Sequence, residues 1–502
     1  MAKNFDLAQV VKLAGKHKVV PLIDTLFSGT ETPVGLFHKL CGDRVGTFLL
    51  ESADQGVWSR YSFIGVNQRG TLIKETGGQA IWNGDADALP GGAALTSVTA
   101  LGALEELVDA WSAPKIADLP PLTSGLVGML GWEVIREIEK LPNAPKVDYR
   151  VPEMWFTMFS DLVIVDHLTS ELHFVANIFI DERPTETLFG EAESRLATML
   201  ESALAPTEPF IVEGGAPMGL DLNANQSEDE FKTAIDQAKK HITAGDVFQV
   251  VLSQRFDQPV SARPIDVYRA LRALNPSPYM YLLQQADSAG MYSIVGSSPE
   301  ALVTVTDSHA VMHPIAGSRP RGASVEADQA HEQSLLDDAK ERAEHLMLVD
   351  LARNDLLKVC QPSSIAVTEF MAVHRFSHIM HLVSTVVGEL RGDQSSVDVF
   401  RATFPAGTLS GAPKPRALEI IDALEPSNRG LFGGVVGYFD FAGSADLAIA
   451  IRTAMIRDGV AHIQAGAGLV LDSDPESEYQ ETRTKASAPA KAVATANGFV
   501  KR

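Results

Sequence analysis

Alternation of apolar and polar positions is the clearest regular pattern in the first part of the chain. Four segments between residues 46 and 180 show it, and each has the length of one strand: GTFLLES, RYSFIGV, DLVIVDH and ELHFVANIFI. Such alternation places one face of a strand in a core and the other toward solvent. Helical stretches lie between these segments, so the pattern predicts a mixed first block over residues 19–205.

A second block begins after a segment rich in Pro, Gly and Asn, residues 206–226, which we predict to be a linker. Ser227 and Glu230 stand in capping-box spacing at the start of an amphipathic helix that ends near Gly245. The predicted strand DVFQVVLSQRF follows, and the block continues to residue 495. Because strands and helices do not alternate regularly, the predicted fold class is α+β with mainly antiparallel sheets.

Two helical segments of the second block each carry two glutamates three residues apart. Glu341 and Glu344 lie in KERAEHLMLVDLARND, and Glu478 and Glu481 lie in DPESEYQETRTKA. Residues three apart share one helix face, so each segment offers two carboxylates that point the same way. Four carboxylates facing one cavity would suit Mg²⁺, which prefers oxygen ligands. Either pair taken alone is better explained as a solvated helix face.

Other segments of this block carry candidate anion-binding groups. HPIAGSRPRG at residues 313–322 is predicted to be a shaped loop that enters a site, and FPAGTLSGAPK at 404–414 a second loop ahead of a helix. Arg452 is an isolated cation in the apolar run AIAIRTAMI. A buried arginine needs an anionic partner, which is either a structural carboxylate or a bound ligand.

The composition narrows the choice of partners and of cell compartment. With 42 basic and 64 acidic residues the net charge is −22, which argues against a general binder of nucleic acid or of anionic membranes. The 502 residues, of which 45% are apolar, suffice for two to four domains. The first residues lack the apolar stretch of a signal peptide, and no run reaches membrane-spanning length. We therefore expect a soluble, cytoplasmic protein.

Seven motifs in a fixed order identify the chain more closely. They are PIAGSRPRG, KERAEHLMLVDLARND, HIMHLVSTVVGEL, FPAGTLSGAPK, RGLFGGVVGYF, AIAIRTAMI and AGAGLVLDSDPESEYQET. In this order they resemble the chorismate-utilising enzymes over essentially the whole chain, most specifically from about Ser227 onward. The resemblance implies a two-layer, mainly antiparallel β-sandwich flanked by helices. It also implies a regulatory domain over residues 19–205 and a chorismate-binding catalytic domain over residues 227–495.

The resemblance further implies a metal site and a proton-transfer residue. It makes Mg²⁺ the cofactor, with Glu344 and Glu481 as direct ligands and Glu341 and Glu478 acting through water. His381 matches the catalytic histidine of the family, and histidine suits proton transfer near neutral pH. A lone histidine is more often structural, so this role depends on the motif.

Substrate-binding positions are implied in the same way. Arg452 matches the clamp for the enolpyruvyl carboxylate of chorismate, Thr408 a hydroxyl near its ring, and Lys485 a cation near the metal. Close backbone approach to the substrate is implied for a set of small residues: Gly317, Ser318, Gly466, Ala467 and Gly468. Phe432 replaces a frequent tyrosine and so lacks one hydroxyl hydrogen bond, and Ser318 replaces the commoner threonine.

Two positions indicate the branch of the family and therefore the product. Gln249 stands where isochorismate and salicylate synthases have a lysine that activates water, and glutamine cannot do so. Ala316 stands where aminodeoxychorismate synthases often have a nucleophilic lysine. We therefore expect ammonia to attack C2 of chorismate, with loss of pyruvate and formation of anthranilate, which supplies tryptophan biosynthesis. The alternatives are aminodeoxychorismate synthase or another chorismate aminase and, more distantly, a non-catalytic amino-acid sensor.

The source of ammonia follows from the cysteines. A glutamine amidotransferase needs a cysteine nucleophile on a tight glycine-rich turn. Cys41 in HKLCGDR and Cys360 in LLKVCQP do not have this context, and they support neither a disulfide nor a thiolate metal site. We expect a separate glutamine amidotransferase subunit, and hence a hetero-oligomer.

A second ligand site is implied for the inhibitor L-tryptophan. The segments LLES at 49–52 and NPSPYM at 275–280 resemble the two halves of the tryptophan feedback site of the family. The implied contacts are Glu51, Ser52, Pro278, Tyr279 and Met280. The alternative is a strand end packed on a proline-rich loop, which would explain LLES alone equally well.

Overall fold

The computed structural model describes residues 4–28, 30–52, 60–85, 89, 94–116, 119–207, 210–219, 222–375 and 379–501. Within them the chain forms eleven α-helices and twenty-three β-strands. The helices are α1 (Leu7–Ala14), α2 (Pro33–Leu40), α3 (Ala100–Ala110), α4 (Thr185–Leu204), α5 (Glu228–Thr243), α6 (Pro264–Leu274), α7 (Val325–Asp337), α8 (Ala339–Leu357), α9 (Ser396–Thr403), α10 (Lys414–Leu424) and α11 (Pro475–Asn497). Single 3₁₀ turns cover Trp132–Glu137, Pro362–Ser364 and Gly407–Leu409.

The strands are β1 (Val19–Phe27), β2 (Phe48–Glu51), β3 (Tyr61–Lys74), β4 (Ala80–Gly84), β5 (Gly125–Leu130), β6 (Met154–Asp166), β7 (Glu171–Phe179), β8 (Val212–Gly214), β9 (Asn223–Ala224), β10 (Gln249–Pro259), β11 (Tyr279–Asp287), β12 (Gly290–Ser298), β13 (Ala301–Thr306), β14 (His309–Met312), β15 (Ile315–Pro320), β16 (Ala366–Arg375), β17 (Ile379–Glu389), β18 (Gly411–Ala412), β19 (Val435–Asp440), β20 (Ala445–Ile449), β21 (Thr453–Arg457), β22 (Val460–Leu469) and β23 (Phe499–Lys501).

The strands form two layers, and the pairings among the described strands are antiparallel. One layer has the order β1-β7-β6-β3-β2-β11-β12-β21-β22-β10. The other has the order β4-β3-β6-β5-β19-β20-β13-β14-β17, with β15 and β16 both beside β17. The long strands β3 and β6 belong to both layers, which join through them. The predicted α+β, mainly antiparallel architecture is confirmed.

Apolar side chains fill the space between the two layers, and others cover the outer face of each layer. The inner core joins Tyr281 and Ile294 of the first layer to Val127 and Val436 of the second. The helices α2, α4, α6 and α11 pack their apolar faces on the outside of the first layer. The helices α3, α8, α9 and α10 cover the second layer. Both faces of β5, β6 and β19 are buried along nearly the whole length of the strands, which explains why most of their side chains are apolar.

The predicted domain limits are crossed by strand pairing. β2 pairs with β11 and β5 pairs with β19, so residues from 19–205 and from 227–495 share sheets. Within the predicted linker, β8 pairs with β23 and β9 pairs with β10. The limits of the two domains stay a prediction.

Local predictions from the sequence have mixed outcomes. The helix after the linker is confirmed as α5, with Ser227 and Glu230 forming the capping box and Gly245 at φ +81° after its end. The loop predicted at 313–322 is wrong, because Ile315–Pro320 form β15. A register shift between Ala316 and Ser318, with Gly317 at φ +70°, makes the strand bulge there.

Among the described helices, none is long and apolar enough to cross a membrane.

Candidate active site

The two glutamate pairs lie on α8 and α11, and their charges act on one another. Burial raises the pKa of Glu344, and the charges of Glu341 and Glu481 raise it further. Burial also raises the pKa of Glu478, and the charge of Glu481 adds to the effect. Glu481 is exposed, whereas the other three are partly buried. The structure therefore brings the two glutamate pairs into one region. Two unrelated solvent-exposed helix faces would not need to lie so close together.

The four carboxylates do not form a closed cage by themselves. Among the described residues, three acidic, histidine or cysteine side chains have ligand atoms within 4.8 Å of one another only at Asp166, Glu171 and His173. That cluster is already engaged, because Asp166 pairs with Arg60 and His173 bonds to Thr25. An ion held by the four glutamates would keep positions for water or for a ligand oxygen, as Mg²⁺ usually does.

His381 and Gly317 face each other across β17 and β15. The Nδ1 atom of His381 lies 2.9 Å from the carbonyl oxygen of Gly317, which can only accept, so Nδ1 carries the proton and Nε2 is the basic nitrogen. Burial lowers the pKa of His381, the Arg452 charge lowers it further, and the Gly317 carbonyl and Glu341 oppose this. A Cβ atom on Gly317 would stand 3.1 Å from Oε2 of Glu341, so this strand passes directly beside α8.

Arg452 is a half-buried cation without an ion pair among the described residues. It follows β20 with φ at +52°, and its carbonyl accepts a 3.3 Å hydrogen bond from the Ser297 amide. Burial lowers the pKa of Arg452 and the charge of Glu481 opposes this, yet a guanidinium stays protonated. The sequence left open whether a carboxylate of the protein pairs with Arg452. Among the described residues, none forms an ion pair with it. The guanidinium is therefore available to an anionic ligand.

Lys485 joins the glutamate region to β22. Its Nζ donates to the Gly466 carbonyl at 3.0 Å and lies 2.6 Å from Oε1 of Glu481. A Cβ on Gly466 would lie 3.0 Å from the Leu252 carbonyl, and one on Gly468 would lie 2.9 Å from Nε2 of Gln249. These glycines therefore keep β22 close to β10 and to the Gln249 amide.

Three other candidate residues have less direct positions. The side chain of Ala467 is fully buried, so only its backbone can meet a ligand. Phe432 is also buried and stands 5.6 Å from the Arg429 guanidinium. Ser318 is exposed and stands opposite His381 in the β15–β17 register.

Thr408 bonds to the carboxyl group of Glu300, a residue that was not predicted from the sequence. Its hydroxyl donates to Oε1 of Glu300 at 3.0 Å. Burial raises the pKa of Glu300 to about 7, while the Thr408 hydrogen bond and the charge of Lys485 oppose the shift. Glu300 therefore keeps its proton in about half of the molecules at pH 7, and it lies close enough to Lys485 to feel its charge. The signal in the sequence was its context, an acid after proline between the apolar strands IVGSS and ALVTV.

A buried ion pair holds three of these segments in place. The Arg429 guanidinium makes two bonds to Glu425, at 2.9 Å and 2.7 Å, and donates to the carbonyls of Leu409 at 2.7 Å and Val251 at 2.8 Å. Glu425 accepts from Ser253. The turn of Thr408, the strand of Gln249 and the loop of Phe432 are therefore tied to one side chain.

The two halves of the implied tryptophan site are adjacent, because Glu51 of β2 stands opposite Met280 of β11. Glu51 is buried and accepts from the Tyr268 hydroxyl at 2.7 Å and from Arg272 at 3.0 Å and 2.7 Å. The Ser52 hydroxyl is buried without a hydrogen-bond partner among the described residues. Pro278 is half-buried, and the Tyr279 hydroxyl pairs with Asp446.

Comparison with known proteins gives this geometry a family. The family model for chorismate binding enzymes matches residues 47–491, which contain every segment of the site. The chain belongs to the chorismate-binding enzymes. Its similarity to anthranilate synthase component 1 of Arthrobacter globiformis is 49% identity over 500 residues, covering 98% of this chain and 93% of that protein. Membership of this branch makes the chain a lyase of the anthranilate synthase type, as the motifs predicted.

Solved structures agree with the assignment. The crystal structure of anthranilate synthase component I from Streptococcus pneumoniae TIGR4 is 33% identical, has a TM-score of 0.77, and the match covers 93% of this chain and 99% of that chain. The menaquinone-specific isochorismate synthase of Escherichia coli is 17% identical with a TM-score of 0.69, covering 97% and 98%. The second likeness shows the fold alone.

Proposed function

We propose that the protein converts chorismate and ammonia to anthranilate and pyruvate, with Mg²⁺ as cofactor and tryptophan as feedback inhibitor. The observation that carries the proposal is the half-buried Arg452 guanidinium, which has no ion pair among the described residues and lies in the field of His381 and Glu481. A dicarboxylate substrate supplies the anion that this cation needs. The sequence relatives support the same reaction.

The first half of the reaction needs an acid. Ammonia adds at C2 of chorismate while the C4 hydroxyl leaves, and a hydroxyl leaves readily only as water. Glu300, with its pKa raised to about 7 by burial, carries a proton to give at neutral pH, and Thr408 fixes the orientation of the carboxyl group. The Gln249 amide lies beside Gly468 and cannot deprotonate water, which supports ammonia rather than water as the nucleophile.

The second half needs a base. Loss of the C2 proton lets the ring become aromatic as the enolpyruvyl group departs as pyruvate. His381 suits this step, because Nδ1 is held by the Gly317 carbonyl and burial keeps the pKa of the imidazole below its usual value. Its Nε2 is therefore unprotonated near neutral pH.

The residues on α8 and α11 fit a magnesium ion by their chemistry. All four candidate ligands are carboxylates, and two have raised pKa values in part because they lie near other carboxylates. Glu344 and Glu481 would hold the ion directly, and Glu341 and Glu478 would hold it through water. When bound, the ion supplies positive charge for the ring carboxylate of the substrate.

Glutamine use requires a second polypeptide. Cys41 and Cys360 are buried, and burial raises the pKa of the two thiols to about 12 and about 11. Neither thiol is a nucleophile in this state. We infer a separate amidotransferase subunit in a hetero-oligomer, and the name "component 1" of the relatives agrees with this.

The decisive test is product formation by the purified chain with chorismate, Mg²⁺ and either ammonium or glutamine. We expect anthranilate and pyruvate from ammonium at alkaline pH and no product from glutamine. Mass analysis separates anthranilate from aminodeoxychorismate, which keeps the enolpyruvyl group. Glutamine-dependent turnover by the chain alone would contradict the separate subunit, and an aminated product that retains the enolpyruvyl group would contradict the reaction.

A further inference from the structure

A small cavity lies behind the acid of the site. Its volume is about 50 Å³, and its polar walls are Glu300, Thr408, Thr403, Asp355 and His313. The remaining walls are apolar or glycine, from β13, α8 and the 406–407 turn. A cavity of this size with polar groups can hold water. Glu300 and His313 thus line the same small, partly open cavity.

His313 begins a line of hydrogen-bonded side chains that ends at solvent. Its Nδ1 lies 3.2 Å from the Thr385 hydroxyl, and that hydroxyl donates to Oε2 of Glu369 at 3.3 Å. The other oxygen of Glu369 lies 3.0 Å from Nε2 of His374. The side chains of Glu369 and His374 are 38% and 32% exposed, so this end of the line exchanges protons with water.

The reaction creates a need for such a line. As the C4–O bond breaks, its electron pair stays on oxygen, which takes the Glu300 proton and leaves as water. The nitrogen bound at C2 loses one proton to solvent, so the sum of charges is unchanged. Glu300 is left as a carboxylate and must regain one proton from solvent before the next turnover.

We propose that His313, Thr385 and Glu369 form a relay that returns this proton to Glu300 through the shared cavity. The inference rests on the proposed function. His313 acts through Glu300 and does not touch the substrate. In the tautomer with the proton on Nε2, a protonated Glu369 donates to the Thr385 oxygen, the Thr385 hydroxyl turns to donate to Nδ1 of His313, and Nε2 of the same ring releases its proton into the cavity.

The charges around His313 are compatible with this role. Burial lowers the pKa of His313, the carboxylate of Glu369 opposes the effect, and His374 adds to it. Across the cavity, Glu300 accepts the transferred proton, while Asp355 is held by Lys358 at 2.9 Å and Lys414 at 3.1 Å. His313 is therefore neutral near neutral pH, and a neutral imidazole can pass a proton on by accepting at Nδ1 and donating from Nε2.

The test compares His313→Ala and Glu369→Gln with His309→Ala. His309 is an exposed histidine near the start of the same β14–β15 segment and lies outside the relay, so it is the matched control. We expect both relay variants to lower kcat by roughly tenfold, at the low end of proton-transfer effects, with the KM for chorismate little changed. The solvent deuterium effect on kcat should rise, and added imidazole should restore turnover in His313→Ala.

Each outcome has one interpretation. Relay variants with the kcat, pH profile and solvent isotope effect of the wild type overturn the relay. A lower kcat that imidazole does not restore, with an unchanged isotope effect, also overturns it, because His313 would then only support the structure. Glu369→Gln alters a partly exposed position and keeps the test valid if His313→Ala does not fold. Absence of anthranilate from the wild type would instead refute the proposed function.

Discussion

At the scale of single residues, the acid role proposed for Glu300 predicts an upper pH limit of the reaction. Its pKa is raised to about 7 by burial, and it must be protonated to act as an acid, so at a constant concentration of free ammonia kcat/KM for chorismate should fall as pH rises through about 7. At saturating ammonia, Glu300→Gln should lower kcat by about 10²-fold or more and remove this limb. The measurement is a pH profile of both proteins.

A substitution of Thr408 tests whether the pH dependence comes from the pKa of Glu300. Its hydrogen bond lowers the pKa of Glu300, so Thr408→Val should move the alkaline limb to higher pH. A limb that stays in place in Thr408→Val, or survives in Glu300→Gln, would assign the titration to another group.

The residues that come together at the candidate site could be predicted from the sequence where a motif surrounds them, and their roles stay a prediction. His381, Arg452 and the four glutamates stand in distinctive segments, and the structure brings them into one electrostatic region. Glu300 was missed because its chemistry arises from burial and from Thr408, which lies 108 residues away along the chain. Whether Arg452 has a structural partner was also beyond the sequence, since an ion pair depends on tertiary distances.

At the scale of elements, the two helices α8 and α11 carry the proposed metal site as a unit. Glu344→Gln and Glu481→Gln each keep the side-chain shape and remove one negative charge. We expect weaker apparent Mg²⁺ affinity and lower turnover in both, with unfolding temperature unchanged or raised, because clustered carboxylates repel one another. A Mg²⁺ titration of activity beside melting curves checks both parts.

Asp350→Asn is the matched control, because Asp350 is an exposed acid on the outer face of α8 that pairs with Arg353 at 3.1 Å. It should leave the metal dependence unchanged. If Glu344→Gln and Glu481→Gln also leave it unchanged, the four carboxylates form a solvated surface and the metal site is wrong.

Elements with strong local signals were predictable and irregular ones were not. The capping box of Ser227 and Glu230 fixes the start of α5, and alternation located β2, β3 and β7. The glycines and prolines of residues 313–322 suggested a loop, yet pairing with β17 makes β15 a strand with a bulge at Gly317. Tertiary pairing outweighed the local preference there.

At the scale of the whole molecule, sheet pairing connects the implied tryptophan site to the active site. The pairing of β2 with β11 joins residues more than 200 positions apart, and the periodicity of the sequence cannot predict such a pairing. Along β11, Tyr279 stands opposite Ser298 of β12, two residues before Glu300. Asn275 donates to the Ser297 hydroxyl at 2.8 Å, and the Ser297 amide donates to the Arg452 carbonyl at 3.3 Å. The NPSPYM segment is thus two hydrogen bonds away from the backbone of Arg452, the proposed substrate clamp.

This connection predicts that tryptophan binding and inhibition can be separated. Ser52→Phe should abolish both, because the ring would fill the space around a hydroxyl that is buried without a partner among the described residues. Ser297→Ala removes the side-chain bonds to Asn275 and Ser277 but changes none of the five implied contact residues, so tryptophan should still bind while its inhibition weakens. Calorimetric binding of tryptophan measured beside inhibition of anthranilate formation distinguishes the two variants.

Equal loss of binding and inhibition in Ser297→Ala would place Ser297 in the binding site, and unchanged inhibition in this variant would exclude the proposed connection. Failure of millimolar tryptophan to bind or inhibit the wild type would refute the feedback site, because β2 and β11 would then be joined for packing alone.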